Sequence, residues 1–221
     1  MATVDALEIV VLALALAGAL LVRPWRLLQP WGASPLATPL LAVLTLLPWL
    51  WSWPSLAALP IPLHWSAAPI VVLMLGWPLA VPALAAAGAT TVLIGAASPA
   101  QAITLVVWSG ILPATLMLVL GHAVRRAFGP NPVAYLLGRA FVVPLASLVA
   151  CSVAAASAGQ GFTGLRGDMQ AVALLLLALG EAAWTCAIAS ALVACRPEWL
   201  ATWPDALMLR RPAVAPARTR R

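Results

Sequence analysis

The chain of 221 residues is 64% apolar and only 8% charged, with a mean hydropathy of +1.03, whereas soluble domains carry roughly 25% charged residues. This composition excludes an ordinary soluble domain and predicts an all-α, polytopic integral membrane protein, with one transmembrane domain over 1–209 and a basic disordered tail over 210–221. The net charge of +6 comes with no lysine at all. A Walker A phosphate loop and a Schiff-base lysine are therefore excluded, and we expect a non-enzymatic protein.

The first apolar run covers Ile9 to Val22. Asp5 and Glu8 precede it, and Arg23 and Arg26 follow it. A secretory signal would carry its positive charge before the apolar stretch. The reversed order predicts an uncleaved first helix whose N-terminus lies outside.

The next three runs leave two alternatives open. A second run, Thr38 to Trp53, ends in closely spaced tryptophans, which are typical of a membrane boundary. A third ends at Leu75, and a fourth, Leu79 to Ala97, is interrupted by Gly and Pro. Either both cross the membrane, which gives seven spans, or Pro69 to Ala97 is one re-entrant hairpin, which leaves five spans.

The last three runs are Ala102 to His122, Ala134 to Ala158 and Met169 to Cys195. Pro113 should kink the fifth helix, because proline removes an internal hydrogen bond. Seven alternating spans with an outer N-terminus place every arginine except Arg166 inside, as the positive-inside rule requires. The predicted location is a membrane that the chain crosses several times, with an inner C-terminal tail that meets anionic lipid.

Glu181 lies deep inside the last run, with Thr185 one turn further on. A carboxylate at the bilayer centre costs on the order of 3 kcal/mol and normally faces the bundle interior or a water-filled cavity. Two interpretations stay open: a carboxylate on a cation or proton path, or a structural carboxyl bonded to Ser or Thr of a neighbouring helix. A stripe of small residues on the same helix predicts close helix packing: Ala183, Ala187, Ser190 and Ala194.

Several segments resemble a known family. The segments are the Met1 to Leu7 start, the stretch from Leu63 to Ala80, Ser109 to Pro113, and Glu181 with the Arg196-Pro197-Glu198-Trp199 tail. They look like a proteobacterial branch of the energy-coupling-factor ABC transporter permeases, relatives of the cobalt/nickel substrate-capture proteins. The resemblance implies a membrane subunit that takes up a divalent transition metal such as cobalt or nickel. Its partners would be a transmembrane coupling protein and cytosolic ATPases.

The resemblance also suggests metal ligands. In the relatives the metal is held by the N-terminal amine, a histidine at position two and a later histidine. Here position two is Ala2. Asp5 fits the acidic position of the opening motif, and His64 fits the later histidine. The metal would be the substrate, and no resident cofactor is expected.

Two interpretations stay open for the inner side. Arg125 and Arg126 are membrane anchors whose charged ends reach the interface, or they form a docking surface for partner subunits together with Arg196, Glu198 and Trp199. Nucleic acid is not an expected partner, because the arginines sit at the ends of apolar runs and form no basic stripe. An accessory or assembly subunit of a larger membrane complex, without catalytic activity, is the alternative function.

Overall fold

In the computed structural model of the chain, the described residues are 6–28, 34–56, 65–159 and 167–203. All regular structure in these ranges is helical. We number the seven longer helices in chain order: α1 Ala6–Leu21, α2 Ala37–Leu56, α3 Ala68–Leu75, α4 Trp77–Leu93, α5 Pro99–Phe128, α6 Ala134–Ser157 and α7 Gly167–Cys195. The prediction of an all-helical protein is confirmed for the described residues, which contain these seven longer helices.

Three helices are long and apolar enough to cross a membrane. They are α5, α6 and the Met169–Cys195 part of α7, and a span needs roughly 20 residues. Shorter apolar stretches of the described chain are α1, the Ala37–Trp53 part of α2, and α4. Helix α4 lies at the centre, where it packs against α1, α2, α3 and α5.

The bundle has two ends, which we name after residues at the termini of α5. The Ser98 end holds the start of α5, where Ser98 and Gln101 form a reciprocal capping box. The Arg end holds the last turn of α5, with Arg125 and Arg126. The start of α6 lies at the Arg end, and the residues that follow α7 pack against it. Helix α7 therefore runs toward the Arg end, in the same direction as α5.

Helix α3 is a half-helix. Its 8 residues span about 12 Å, less than half of a hydrocarbon core of about 30 Å. It ends at Gly76, whose φ of 72° lies in the left-handed region that glycine tolerates best. Helix α4 begins at the next residue, Trp77, so the third and fourth apolar runs form two separate helices joined by a sharp bend.

The residues after α7 complete the hydrogen bonding at the end of α3. Pro78 has no N–H to return to the Met74 carbonyl four residues earlier, and the Ala201 N–H donates to that carbonyl at 3.0 Å. Thr202 donates to the Leu73 carbonyl through its N–H at 3.3 Å and through its hydroxyl at 2.9 Å. The chain at 201–202 therefore caps α3 at the Arg end.

Two π-helical segments interrupt the long helices, Val106–Ile111 in α5 and Ala134–Val142 in α6. Each ends two residues before a proline, Pro113 or Pro144. A proline cannot donate to the carbonyl four residues earlier, and a wider turn shifts the neighbouring bonds by one residue. The perturbation predicted at Pro113 thus takes the form of a π-helical segment.

Helix α7 buries a different face from the predicted one. Its buried residues are Ala178, Glu181, Ala182, Thr185 and Ala189. The predicted packing stripe is rotated by one residue, about 100° around the helix; Ala183, Ala187 and Ala194 are exposed and Ser190 is half-buried. Small residues of α7 are buried against other helices, as predicted, but they lie on the face next to the predicted one.

Candidate functional site

Glu181 occupies the midpoint of α7. The helix has 29 residues, from Gly167 to Cys195, so the carboxylate-bearing residue lies about 21 Å from either end. The residue is only 4% exposed. A carboxyl group at this depth in an apolar helix must find polar partners within the protein.

The partner of Glu181 is the start of the half-helix α3. The Ser66 N–H donates to Glu181 Oε2 at 3.0 Å, and Ala67, which precedes α3, has a left-handed φ of 52°. The first N–H groups of a helix lack intrahelical acceptors and carry partial positive charge, which favours a carboxylate there. The second oxygen, Oε1, is buried and accepts no hydrogen bond from any described residue.

Ser66 also joins α3 to α5. Its hydroxyl accepts from the Ala68 N–H at 3.1 Å and donates to the carbonyl of Ser109. That carbonyl lacks its usual helical donor, because Pro113, four residues on, has no N–H. The proline that perturbs α5 therefore leaves the Ser109 carbonyl available to accept the hydrogen bond that fixes the start of α3.

Two tryptophans frame the chain just before α3. The Trp51 indole N–H donates to the carbonyls of Trp65 at 3.0 Å and Ser66 at 3.3 Å, and the Trp51 side chain is buried. The ring of Trp65 lies 6.4 Å from that of Trp184, which is itself exposed.

Thr185, predicted to share a face with Glu181, is buried as Glu181 is. The structure therefore places the two predicted polar residues on one buried face of α7.

A second buried carboxylate, Glu8, lies between α1 and α5. It is 3% exposed; its Oε1 accepts from the Trp108 indole N–H at 2.8 Å and its Oε2 accepts from the Thr104 hydroxyl at 3.0 Å. In the sequence Glu8 stands just before the first apolar run, and no buried role is predicted for it there. The available signal was the i, i+4 spacing of Thr104 and Trp108, which puts two donors on one face of α5.

The hydrogen bonds of the two carboxylates lead to successive residues of α5, directly from Glu8 and through Ser66 from Glu181. Trp108 contacts Glu8, and the neighbouring Ser109 carbonyl contacts Ser66, which in turn donates to Glu181. Both residues belong to the π-helical segment Val106–Ile111, and such segments recur at functional sites. We call Glu8, Trp108, Ser109, Ser66 and Glu181 the carboxylate network.

The predicted metal ligands Asp5 and His64 lie outside the described residues. Within the described ranges, no three His, Cys, Asp or Glu side chains come together in a group that could hold a metal ion. The two buried carboxylates of the described ranges differ, since Glu8 has both oxygens bonded and Glu181 has one oxygen without a donor among the described residues.

The residues of the predicted docking surface fall into two groups. Arg125 and Arg126 are exposed at the end of α5. Arg196 and Glu198 form an ion pair at 3.4 Å, and Trp199 is half-buried beside them.

Comparison of the chain with protein-family models, with curated protein sequences and with solved structures gives no match. Assignment to a transporter family thus rests on the sequence resemblance alone.

Proposed function

We propose that the protein is a multi-pass subunit of the bacterial inner membrane, the substrate-capture component of an energy-coupling-factor-type transporter for a divalent transition metal such as cobalt or nickel. Three membrane-length apolar helices support the membrane placement. In the proposed orientation the N-terminus lies outside and the Arg end faces the cytoplasm, because arginine is favoured on the inner side.

In this orientation α3 covers only the inner half of the bilayer. Its start is bonded to the midpoint of α7 through Ser66 and Glu181, and its end is capped at the Arg end by Ala201 and Thr202. Broken helices near the membrane midplane line substrate and ion sites in many transporters, with their N-terminal ends facing anionic groups, and the start of α3 faces the Glu181 carboxylate. The geometry therefore supports a site at the start of α3.

The single observation that carries the proposal is that Glu181 Oε1, buried at mid-height, has no hydrogen-bond donor among the described residues, while Oε2 accepts from the Ser66 N–H. A carboxylate held through one oxygen can bind a cation with the other. His64, which lies outside the described residues, precedes Ser66 by two residues in the sequence. A neutral imidazole is a favoured ligand for nickel and cobalt, so the cation site would combine Glu181 with His64.

Metal accumulation in cells tests this function. In a strain without other nickel or cobalt uptake, the protein expressed with its native partners should raise cell-associated metal, and Glu181→Gln should abolish most of that increase. Ser52→Ala is the control, since it alters a buried polar residue that lies outside the carboxylate network and outside the predicted docking surface. Equal accumulation with wild type and Glu181→Gln would exclude the proposed role.

The alternative, an accessory or assembly subunit, is favoured by one observation: the described residues contain no assembled metal-ligand set. In that case the carboxylate network joins α1, α3, α5 and α7 and has no substrate. Affinity purification separates the two functions. An accessory subunit should lose its partners in Glu181→Gln while metal accumulation stays at the background level even with wild type.

A further inference from the structure

A shallow cleft lies at the Arg end, between the end of α5 and the start of α6. Its polar lining consists of Arg125, Asn131, Tyr135, Arg139 and Thr202. The Tyr135 hydroxyl and the Thr202 hydroxyl are 2.7 Å apart, so the residues that follow α7 form one wall. Every charged group in this lining is a guanidinium.

Arg139 is built into the cleft and does not extend freely into solvent. The side chain is half-buried, and its stem lies across Gly121 of α5, where an added Cβ would be 3.2 Å from Arg139 Nε. Glycine at 121 thus makes room for the arginine. The closeness of α5 and α6 is also visible at Gly138, where a Cβ would be 2.9 Å from Val124.

The described lining of the cleft contains two arginines, Arg125 and Arg139, and no carboxylate. The one ion pair within the described ranges joins Arg196 to Glu198. Two like charges near each other, one of them half-buried, are unfavourable unless an anion joins them. Planar guanidinium groups bind the oxygens of phosphate in pairs.

We propose that this cleft binds the headgroup phosphate of an anionic phospholipid. Large apolar side chains flank it: Phe128, Val133 and Leu137 are 69%, 62% and 58% exposed. Acyl chains would cover these side chains while the phosphate contacts Arg139 and Arg125. Basic pockets between helices on the cytoplasmic side suit such headgroups. The inference rests on the membrane orientation proposed above and is independent of any metal.

Native mass spectrometry of the purified full-length chain in neutral detergent tests the site. Phosphatidylglycerol is titrated against wild type, Arg139→Gln and Gly121→Ala, with phosphatidylcholine and inorganic phosphate as separate arms. Arg126→Gln is the matched control, because Arg126 lies on the same helix and is exposed but is not part of the cleft lining. We expect Arg139→Gln to weaken phosphatidylglycerol binding about tenfold, as loss of one charge-assisted contact would.

Gly121→Ala keeps the charge but displaces the Arg139 stem, so it should also weaken phosphatidylglycerol binding severalfold even if Arg139→Gln fails to fold. Arg126→Gln should bind as wild type does. Equal loss in Arg126→Gln, equal binding of phosphatidylcholine, or displacement of phosphatidylglycerol by millimolar inorganic phosphate would each overturn the proposal.

Asp205, two residues after Trp203 and outside the described ranges, provides one more test. If Asp205→Asn destabilises the chain in phosphatidylcholine as much as Arg139→Gln does, the counter-ion is the chain's own carboxylate and the proposal fails.

Discussion

Ser66→Ala should destabilise the bundle by an amount that depends on Pro113. The Ser66 hydroxyl accepts from the Ala68 N–H and donates to the Ser109 carbonyl, whose usual donor is missing because residue 113 is proline. Removing the hydroxyl leaves that carbonyl without a donor. An unsatisfied buried carbonyl costs about 1 to 3 kcal/mol, and a lost helix-start bond costs about 1 kcal/mol. Because hydrogen bonds within membranes average less, roughly 0.6 kcal/mol, we expect a total loss of about 2 kcal/mol.

Pro113→Ala changes this expectation, since alanine brings an N–H that can donate to the Ser109 carbonyl. In the Pro113→Ala background, Ser66→Ala should then cost only about 1 kcal/mol, the share due to the Ala68 contact. The assay is reversible unfolding in mixed detergent and SDS micelles, with the four proteins of the double-mutant cycle compared under one set of conditions.

Ser52→Ala is the control for loss of a buried hydroxyl. The Ser52 hydroxyl donates to the Pro48 carbonyl at 2.7 Å within its own helix, so its cost should be the same in both backgrounds. If the Ser66→Ala cost also agrees between the two backgrounds within about 0.5 kcal/mol, the limit for additive effects, the proposed link between Pro113 and Ser66 is refuted.

Three further perturbations have distinct expected results. Glu8→Ala removes both acceptor oxygens, leaves the Trp108 indole N–H without its acceptor, and should lower the free energy of unfolding by about 1 to 3 kcal/mol; a change below about 0.5 kcal/mol would contradict the bonding described for Glu8. Thr202→Val removes the hydroxyl that donates to the Leu73 carbonyl and should speed hydrogen exchange over 199–203 while α7 stays protected; unchanged exchange would show that the cap is unimportant. Gly88→Ala should lower the free energy of unfolding by about 1 to 3 kcal/mol through overpacking, because the added Cβ would overlap Val106 Cγ2. Val106→Ala in the same protein should restore most of that stability. Absence of the rescue would refute the close approach of Gly88 and Val106.

Much of the helical architecture could be predicted because apolar runs and their Gly and Pro interruptions are local features. The break at Gly76 and Pro78 separated the third and fourth helices as the sequence indicated. The length of α3 could not be predicted, since the helix begins where Ser66 meets partners that lie 43 and 115 residues further along the chain.

The candidate site was partly accessible to sequence reasoning. Glu181 stood out because a carboxylate within an apolar helix is costly. Glu8 did not, because its position near the N-terminal end of α1 is also compatible with the membrane surface, and only the donors on α5 show that it is buried. The small-residue stripe of α7 was assigned to the wrong face because adjacent faces of that helix both carry alanines, and only tertiary contacts distinguish them.

The metal content of the purified protein tests the proposed function most directly. Wild type, Glu181→Gln, His64→Ala and the control Glu198→Gln are each equilibrated with limiting nickel or cobalt, freed of unbound metal, and measured by elemental mass spectrometry. We predict about one metal ion per chain in wild type and in Glu198→Gln, as one site would hold, and a loss of at least tenfold in affinity for the other two variants, equivalent to about 1.4 kcal/mol. Wild type without bound metal, or Glu181→Gln with the wild-type content, would contradict a cation site at Glu181.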